Sequence, residues 1–370
     1  MKRIAIFRRC GLGDAVQMTP LLQQVRADLP DASIEVFIND NAAPILERSP
    51  CVDRVWRLPP GEMDQKRWDP LLFRMWRRVW AAGDFDVFLY LDVAWQRSAL
   101  LRWMPAKIRA GLESSNRKLW QPFQVSMRIP ADLELDHVHA SEVYVRLWQK
   151  LTGYRDRGFG YDVRHLTDAV DPLPGHIVLA PGAADGIPGG RIKRWPATHW
   201  QSLAHHLLAA GKTPVFLGRE DEFSKALIPQ GSINLLGRLK ILETVRYLSR
   251  CEAVVGNDSG LYQIALGLGV PSVGLFGPTS PKATGPFRAP HGLALHAQLP
   301  CVPCCKLQCH LQGAEYDDQD RPICMNRLTP EEVAEATLTF LANRSHAQNE
   351  LIDSFCDLHN RASTPALRTP

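Results

Sequence analysis

Asp14 is the first residue in the chain whose type and setting suggest chemistry. It closes the stretch Arg8-Arg9-Cys10-Gly11-Leu12-Gly13-Asp14, which follows a short apolar run from Ile4 to Phe7. Such a run reads as a buried strand, and a helical pattern with Leu21, Leu22, Val25 and Leu29 on one face begins after it. Asp14 therefore stands where a strand hands over to a helix. Gly11 and Gly13 let the backbone turn freely and let a substrate come close, and the helix start offers unused amide N–H groups. A carboxylate in that place can take a proton from a hydroxyl. It can also cap the helix, and spacing leaves both roles open. A dinucleotide fingerprint would need a third glycine where Val16 stands.

Three more polar clusters fall behind predicted strands. Arg191-Ile192-Lys193-Arg194-Trp195-Pro196 comes after the loop Pro181-Gly182-Ala183, and cations ahead of a helix suit a diphosphate. In Leu217-Gly218-Arg219-Glu220-Asp221-Glu222 a carboxylate at a strand end can hold ribose hydroxyls. Gly256-Asn257-Asp258-Ser259-Gly260 sets small residues at a helix start, with Asp258 as a polar anchor. Each cluster alone reads equally as a solvated loop. Their common position, at the carboxyl ends of strands, argues for one site.

A fifth cluster differs in kind. Five of the nine cysteines lie between Cys301 and Cys324. Cys301, Cys304, Cys309 and Cys324 could form a tetrahedral thiolate site for zinc or iron, with Cys305 to spare. Such a site would be structural, because four thiolates leave no open position. The other reading is a loop of reduced cysteines.

Elements that position these groups follow from the pattern. Strands are expected at Ile4–Phe7, Ser33–Ile38, Val52–Leu58 and Val87–Leu91, with Thr19-Pro20 re-setting the first helix. The pattern restarts with a strand at Ile177–Ala180 and a helix over Pro196–Ala210. A strand at Thr213–Leu217, a helix from Asp221, a strand at Ala253–Gly256 and a last strand at Val270–Phe276 follow. Strands alternating with helices imply parallel sheets covered on both faces. This is an α/β protein of two doubly wound, Rossmann-like domains facing a central cleft. The first spans residues 1–170 and the second 171–343, and a polar tail expected to be mobile covers 344–370. Asp171-Pro172-Leu173-Pro174-Gly175 should break regular structure between the domains.

Composition narrows the partners. A net charge of +4 over 370 residues gives no sign of nucleic acid. Nine cysteines, four scattered and five clustered, are not a disulfide framework. The charged N-terminus does not read as a signal peptide, and no apolar run approaches the ~20 residues of a membrane span. A cytoplasmic setting is expected. Gly61 to Pro130 stands apart, with 12 Lys/Arg, 7 Asp/Glu and six of the ten tryptophans. Trp68, Leu72, Trp76 and Trp80 repeat once per helical turn, with Arg74, Arg77 and Arg78 between them. Such a helix suits an anionic membrane surface, or it packs its tryptophans on the first sheet.

Taken together, these stretches resemble glycosyltransferase family 9, the ADP-heptose:lipopolysaccharide heptosyltransferases. Arg9 to Pro20, Lys193-Arg194-Trp195-Pro196, Asn257-Asp258-Ser259-Gly260 and Phe276-Gly277-Pro278-Thr279 carry the likeness, with the cysteine segment ending in Cys324-Met325. The resemblance implies a GT-B fold and inverting transfer, with Asp14 as catalytic base and no cofactor needed for catalysis. It implies that Lys193 meets the donor phosphates, that Glu220 meets the ribose, with Glu222 a close competitor, and that Asp258, Ser259 and Gly260 form the donor-binding helix start. Gly11, Gly13 and Arg194 complete the expected site. The implied donor is ADP-heptose and the implied acceptor a glycolipid, met by peripheral contact with the inner face of the cytoplasmic membrane. Gln263 departs from the family, where a histidine is expected. A family 9 transferase acting on a protein or another glycan, and a binding protein without turnover, remain as alternatives.

Overall fold

The computed structural model describes residues 2–58, 77–92, 104–114, 125–129, 138–168, 171–183, 190–304 and 322–344. Two six-stranded parallel sheets organise them. The first has the order β3-β2-β1-β4-β5-β6, from β1 (Arg3–Arg8), β2 (Ser33–Asn39), β3 (Arg54–Leu58), β4 (Phe85–Tyr90), β5 (Ala106–Ser114) and β6 (Val125–Ile129). The second repeats that winding as β9-β8-β7-β10-β11-β12. Its strands are β7 (Leu173–Ala180), β8 (Thr213–Phe216), β9 (Ile233–Asn234), β10 (Cys251–Asn257), β11 (Ser272–Phe276) and β12 (Gly292–His296). In each sheet the strand order reverses beside the first strand, between β1 and β4 and between β7 and β10. Ligands of open α/β sheets settle at that crevice.

Continuous apolar runs make these strands because both faces are covered. In β1, Ile4 and Ile6 enter one core while Ala5 and Phe7 enter another on the opposite face. β7 divides likewise, with Val178 on one side and Ile177 and Leu179 on the other. The core holding Ile4 and Ile6 also holds Val178 and Val254 of the second sheet. It is continuous across the two sheets because helix α1 (Leu12–Gln17) packs against helix α6 (Gly260–Leu268).

The first helical pattern splits where proline requires it. Pro20 has no N–H to give the carbonyl of Val16, and the Thr19 hydroxyl donates to that oxygen instead, at 2.7 Å. α1 ends at Gln17 and α2 runs Thr19–Asp28. Three further helices matter below: α3 (Ala140–Thr152), α4 (Ala197–Ala209) and α5 (Ile241–Leu248). Residues 153–163 form no regular element but are tied to α2. Gln23 Nε2 donates to Gly160 O at 2.9 Å, and the Asp162 N–H reaches Thr19 Oγ1 at 3.1 Å.

Several expectations fail for identifiable reasons. No helix starts at Asp221. The chain makes only a 3-10 turn, Glu220–Glu222, then goes extended at Phe223, whose ring stacks on Phe216 at 4.9 Å. Tertiary packing overrides the helical pattern there. Of the segment expected to be irregular, Asp171 to Gly175, the last three residues belong to β7, where Gly175 takes φ +80° and its N–H is held by Glu252. Val270–Phe276 is not the last strand, because β12 extends the sheet, and β5 and β6 carried no recognised signal. The Arg/Trp helix lies outside the described residues except for 77–81, which are helical. The tail after 344 also lies outside them.

The junction is tight at Gly267. A Cβ there would lie 2.8 Å from Val163 Cγ2 and 3.1 Å from Val16 Cγ1, both from beyond the second sheet. Alanine in place of glycine inside a helix ordinarily stabilises by roughly 1 kcal/mol. At Gly267 overpacking should reverse the sign, and Gly267→Ala should lose about 1–3 kcal/mol in urea denaturation. A stability gain would show that the junction yields.

Candidate active site

Asp14 occupies the third position of α1, with Gly11 as the N-cap. Its Oδ2 accepts the Gly11 N–H at 3.1 Å. Its Oδ1 accepts from Arg8 Nη2, also at 3.1 Å. Capping and chemistry are thus compatible: the cap holds one oxygen and orients the other. Arg8 comes from the end of β1, donates to Leu91 O at 2.6 Å and lies over the Tyr144 ring. Sequence reasoning missed this role for Arg8, because a contact six residues along forms only when the strand ends and the chain turns back.

The neighbours of Asp14 narrow the chemistry. Burial pushes the Cys10 thiol well above its usual range, and the Asp14 charge adds to it. Burial pushes the Tyr144 hydroxyl up as well. Neither can give an anion near neutral pH. The Asp14 side chain keeps 37% of its surface exposed and is the group here that a substrate hydroxyl can reach.

Across the junction lies a second set of groups. Asp258 follows β10 and is buried, and Lys193 Nζ meets its Oδ2 at 3.0 Å. Lys193 ends a 3-10 turn, Arg191–Lys193. Asn257, fully buried, ties the two supporting loops together. Its Nδ2 donates to Pro181 O at 2.7 Å, and its Oδ1 accepts the Trp195 N–H at 3.1 Å. Arg194 Nη2 donates to Ala183 O at 3.0 Å and braces the same loop. Ser259 is the N-cap of α6 and makes no side-chain cap, which leaves the amides at this helix start available to an anion.

Glu220 and Glu222 separate clearly. Glu220 is exposed and pairs with Lys225 at 2.6 Å. Glu222 turns inward and accepts the Arg219 N–H at 2.8 Å. It lies against Gly182, where a Cβ would sit 2.1 Å from its Oε2, and against Gly218, whose φ is +154°. Glycine at both positions makes room for this carboxylate. Burial raises its pKa from the ordinary 4.5, and Arg219 and Arg194 only partly offset that.

The two sets touch at the backbone. A Cβ on Gly13 would lie 3.2 Å from Gln263 Cγ, and one on Gly260 would lie 3.0 Å from Leu12 Cβ and 3.4 Å from Gly13 N. Asp14 and Ser259 therefore flank one contact. Gln263, where a histidine was expected, is 2% exposed and its amide nitrogen donates to Thr284 O.

Of the four cysteines expected as metal ligands, three are described. Cys301 and Cys304 are half-buried, Cys324 is buried beside Gly277, and Cys309 lies outside the described residues. Among the described residues, no three His, Cys, Asp or Glu side chains gather as a metal site.

Two doubly wound sheets, with a carboxylate at one switch point and an anion-binding set at the other, define a GT-B glycosyltransferase. The model of glycosyltransferase family 9 (heptosyltransferase) matches residues 72–315, and the chain belongs to that family. It is 26% identical over 350 residues to lipopolysaccharide heptosyltransferase 1 of Pseudomonas aeruginosa, covering 90% of this chain and 96% of that protein. It is 25% identical over 315 residues to lipooligosaccharide heptosyltransferase 2 of Haemophilus influenzae, covering 75% and 83%. Among solved structures, a family 9 glycosyltransferase from Veillonella parvula aligns with a TM-score of 0.69 at 22% identity, covering 92% and 97% of the two chains. The Escherichia coli heptosyltransferase WaaC with ADP aligns with a TM-score of 0.68 at 18% identity, covering 91% and 99%. These structural likenesses speak for the fold.

The raised pKa of Glu222 has a testable sign. In the fold this group holds its proton to higher pH than in the unfolded chain, so its contribution falls as pH rises above the ordinary 4.5. Glu222→Gln removes that loss. Its stability relative to the native chain should rise from about pH 4 to about pH 7 in denaturant titrations. A flat or falling difference would show that Glu222 is not desolvated.

Proposed function

We propose that this enzyme transfers a heptose from ADP-heptose to a lipid-linked lipopolysaccharide core, with inversion at the anomeric carbon. The names of its relatives support the heptose and the lipopolysaccharide acceptor, and the structural neighbour WaaC bound to ADP-2-deoxy-2-fluoro heptose supports the donor. The observation that carries the mechanism is the contact of Gly13 with Gly260 and Gln263, which sets Asp14 beside the anion-binding loops.

The step is a single displacement. An acceptor oxygen bonds to the anomeric carbon while the bond from that carbon to the diphosphate oxygen breaks. Asp14 receives the acceptor proton, and ADP leaves on the opposite face. Arg8 keeps the carboxylate aimed. Lys193 and the amides at the start of α6 stabilise the charge gathering on the diphosphate. Lys193 is held ready by Asp258, and a bound phosphate offers it a second anion. Glu222, rather than Glu220, is the carboxylate placed to meet ribose hydroxyls. The step uses protein groups alone.

The acceptor is amphiphilic, and we assign its approach to the first sheet's side at the cytoplasmic membrane face. Arg78, which donates to Arg57 O of the first sheet, and the 54%-exposed Trp80 belong to the basic, tryptophan-rich window. No helix among the described residues is long and apolar enough to cross a membrane. Co-sedimentation should increase with anionic liposomes and fall with salt. Equal binding to neutral vesicles would remove the basic window from the interaction.

Incubation with ADP-heptose and a truncated core acceptor tests the reaction itself. Asp14→Asn should bind ADP normally and lose on the order of 10²–10⁴ in turnover. Lys193→Met should weaken ADP by about 10- to 100-fold, the worth of a hydrogen bond to a charged group. Normal turnover by Asp14→Asn would remove it as the base, and ADP release without sugar transfer would make the protein a hydrolase.

A further inference from the structure

We infer that His139 is a positioning residue for sugar transfer, locking the loop after Pro281–Thr284 to the framework that holds Asp14. The inference rests on Asp14 being the base.

A ring of contacts runs through His139. At the end of α1, Gln17 O accepts the Ser141 hydroxyl at 2.7 Å. The Ser141 N–H donates to His139 Nδ1 at 3.1 Å, which caps α3. On its other side, His139 Nε2 lies 3.1 Å from Gly285 O. The carbonyl one residue earlier, Thr284 O, accepts the side-chain amide of Gln263. Gln263 lies in α6 one turn beyond Ser259 and packs on Gly13, next to Asp14. The ring thus leaves Asp14 along α1, crosses the junction at His139 and returns to Gly13 through the donor-side helix. The three side chains in it are buried: Ser141, His139 and Gln263 are 0%, 7% and 2% exposed.

The imidazole is suited to one protonation state. Burial pushes its pKa down to about 4, so it is neutral at physiological pH. Nδ1 must accept from Ser141, so the proton sits on Nε2 and is donated to Gly285 O. Phe287 stacks on the ring at 4.7 Å, and the Tyr161 hydroxyl lies 3.1 Å from Nε2. Protonating Nδ1 would set two N–H groups against each other. The bond to Gly285 is therefore directional and present across neutral pH.

Direction matters at Gly285, which the His139 ring and the Tyr161 hydroxyl, 3.4 Å from the same oxygen, hold, while the Val163 N–H to Gly267 O bond at 2.8 Å fixes the junction further along α6. The packing of α1 on α6 is apolar, and apolar contact sets distance better than register. Asp156–Arg288 bridges the same elements but is part-exposed, where ion pairs contribute little. Base and donor come from different sheets, and an error of about 1 Å between them can cost ~10² in rate. A buried bond of fixed direction holds that register.

Two variants separate the bond from the cap. His139→Asn keeps an acceptor for the Ser141 N–H but cannot reach Gly285. His139→Gln keeps a donor near the Nε2 position but loses the cap. His139→Asn should slow single-turnover transfer by about tenfold or more, with ADP affinity changed less than ~2-fold, and His139→Gln should restore most of the rate. Hydrogen exchange over residues 281–289 should be faster in His139→Asn than in His139→Gln, a readout that needs no turnover. Native rate and exchange in His139→Asn overturn the inference. So does an equal rate loss in both variants, which would leave only helix capping. Asp14→Asn in the same assay keeps the questions apart: normal transfer by that variant removes the base reading, while the exchange difference still reports on the His139 bond.

Discussion

Two helix starts meet in this protein because no side chain stands between them. Gly13 and Gly260 bring the backbone of α1 to that of α6, and a single Cβ on either would intrude on the other helix or its side chains. Asp14 follows one glycine and Ser259 precedes the other. This contact places a group that can accept a proton next to amides that can hold a diphosphate. Bulk at either glycine would separate the two halves of the reaction while leaving both sheets intact.

The charges at this contact are held in pairs. Arg8 orients Asp14, and Asp258 holds Lys193. Each pair joins a less exposed partner to a more exposed one, the more exposed members being Asp14 and Lys193. The less exposed partner limits where the other can point, so little reorganisation is needed when substrates arrive. Cys10 and Tyr144 line the first site but are kept neutral by burial, so Asp14 is the group there that is ionised and exposed.

Much of this was legible in the residue pattern. Apolar runs such as Ile4–Phe7 and Ile177–Ala180 located the central strands of both sheets, because a strand covered on both faces has no polar alternation to obscure it. Thr19-Pro20 marked the helix break through the missing proline N–H. Edge strands were harder. β12 is half-buried throughout, and β9 is two residues long, so neither carries a strong signal. The helix expected from Asp221 failed because Phe223 gains more by stacking on Phe216 than by continuing a turn.

By itself, the sequence determined the α/β class, the two-fold repetition of the doubly wound pattern, the strand-end loops with Asp14, Lys193 and Asp258, and the family resemblance. Those depend on local periodicity and on residue types at fixed spacing. Only the tertiary structure decided which residues act on one another. It turned Glu222 inward and left Glu220 exposed, because glycines 182 and 218, distant from each other in the chain, make room for the Glu222 carboxylate. It placed Arg8 on Asp14, and it brought His139 to Gly285 across 146 residues. Such contacts follow from how the sheets pack, and no window of sequence contains them.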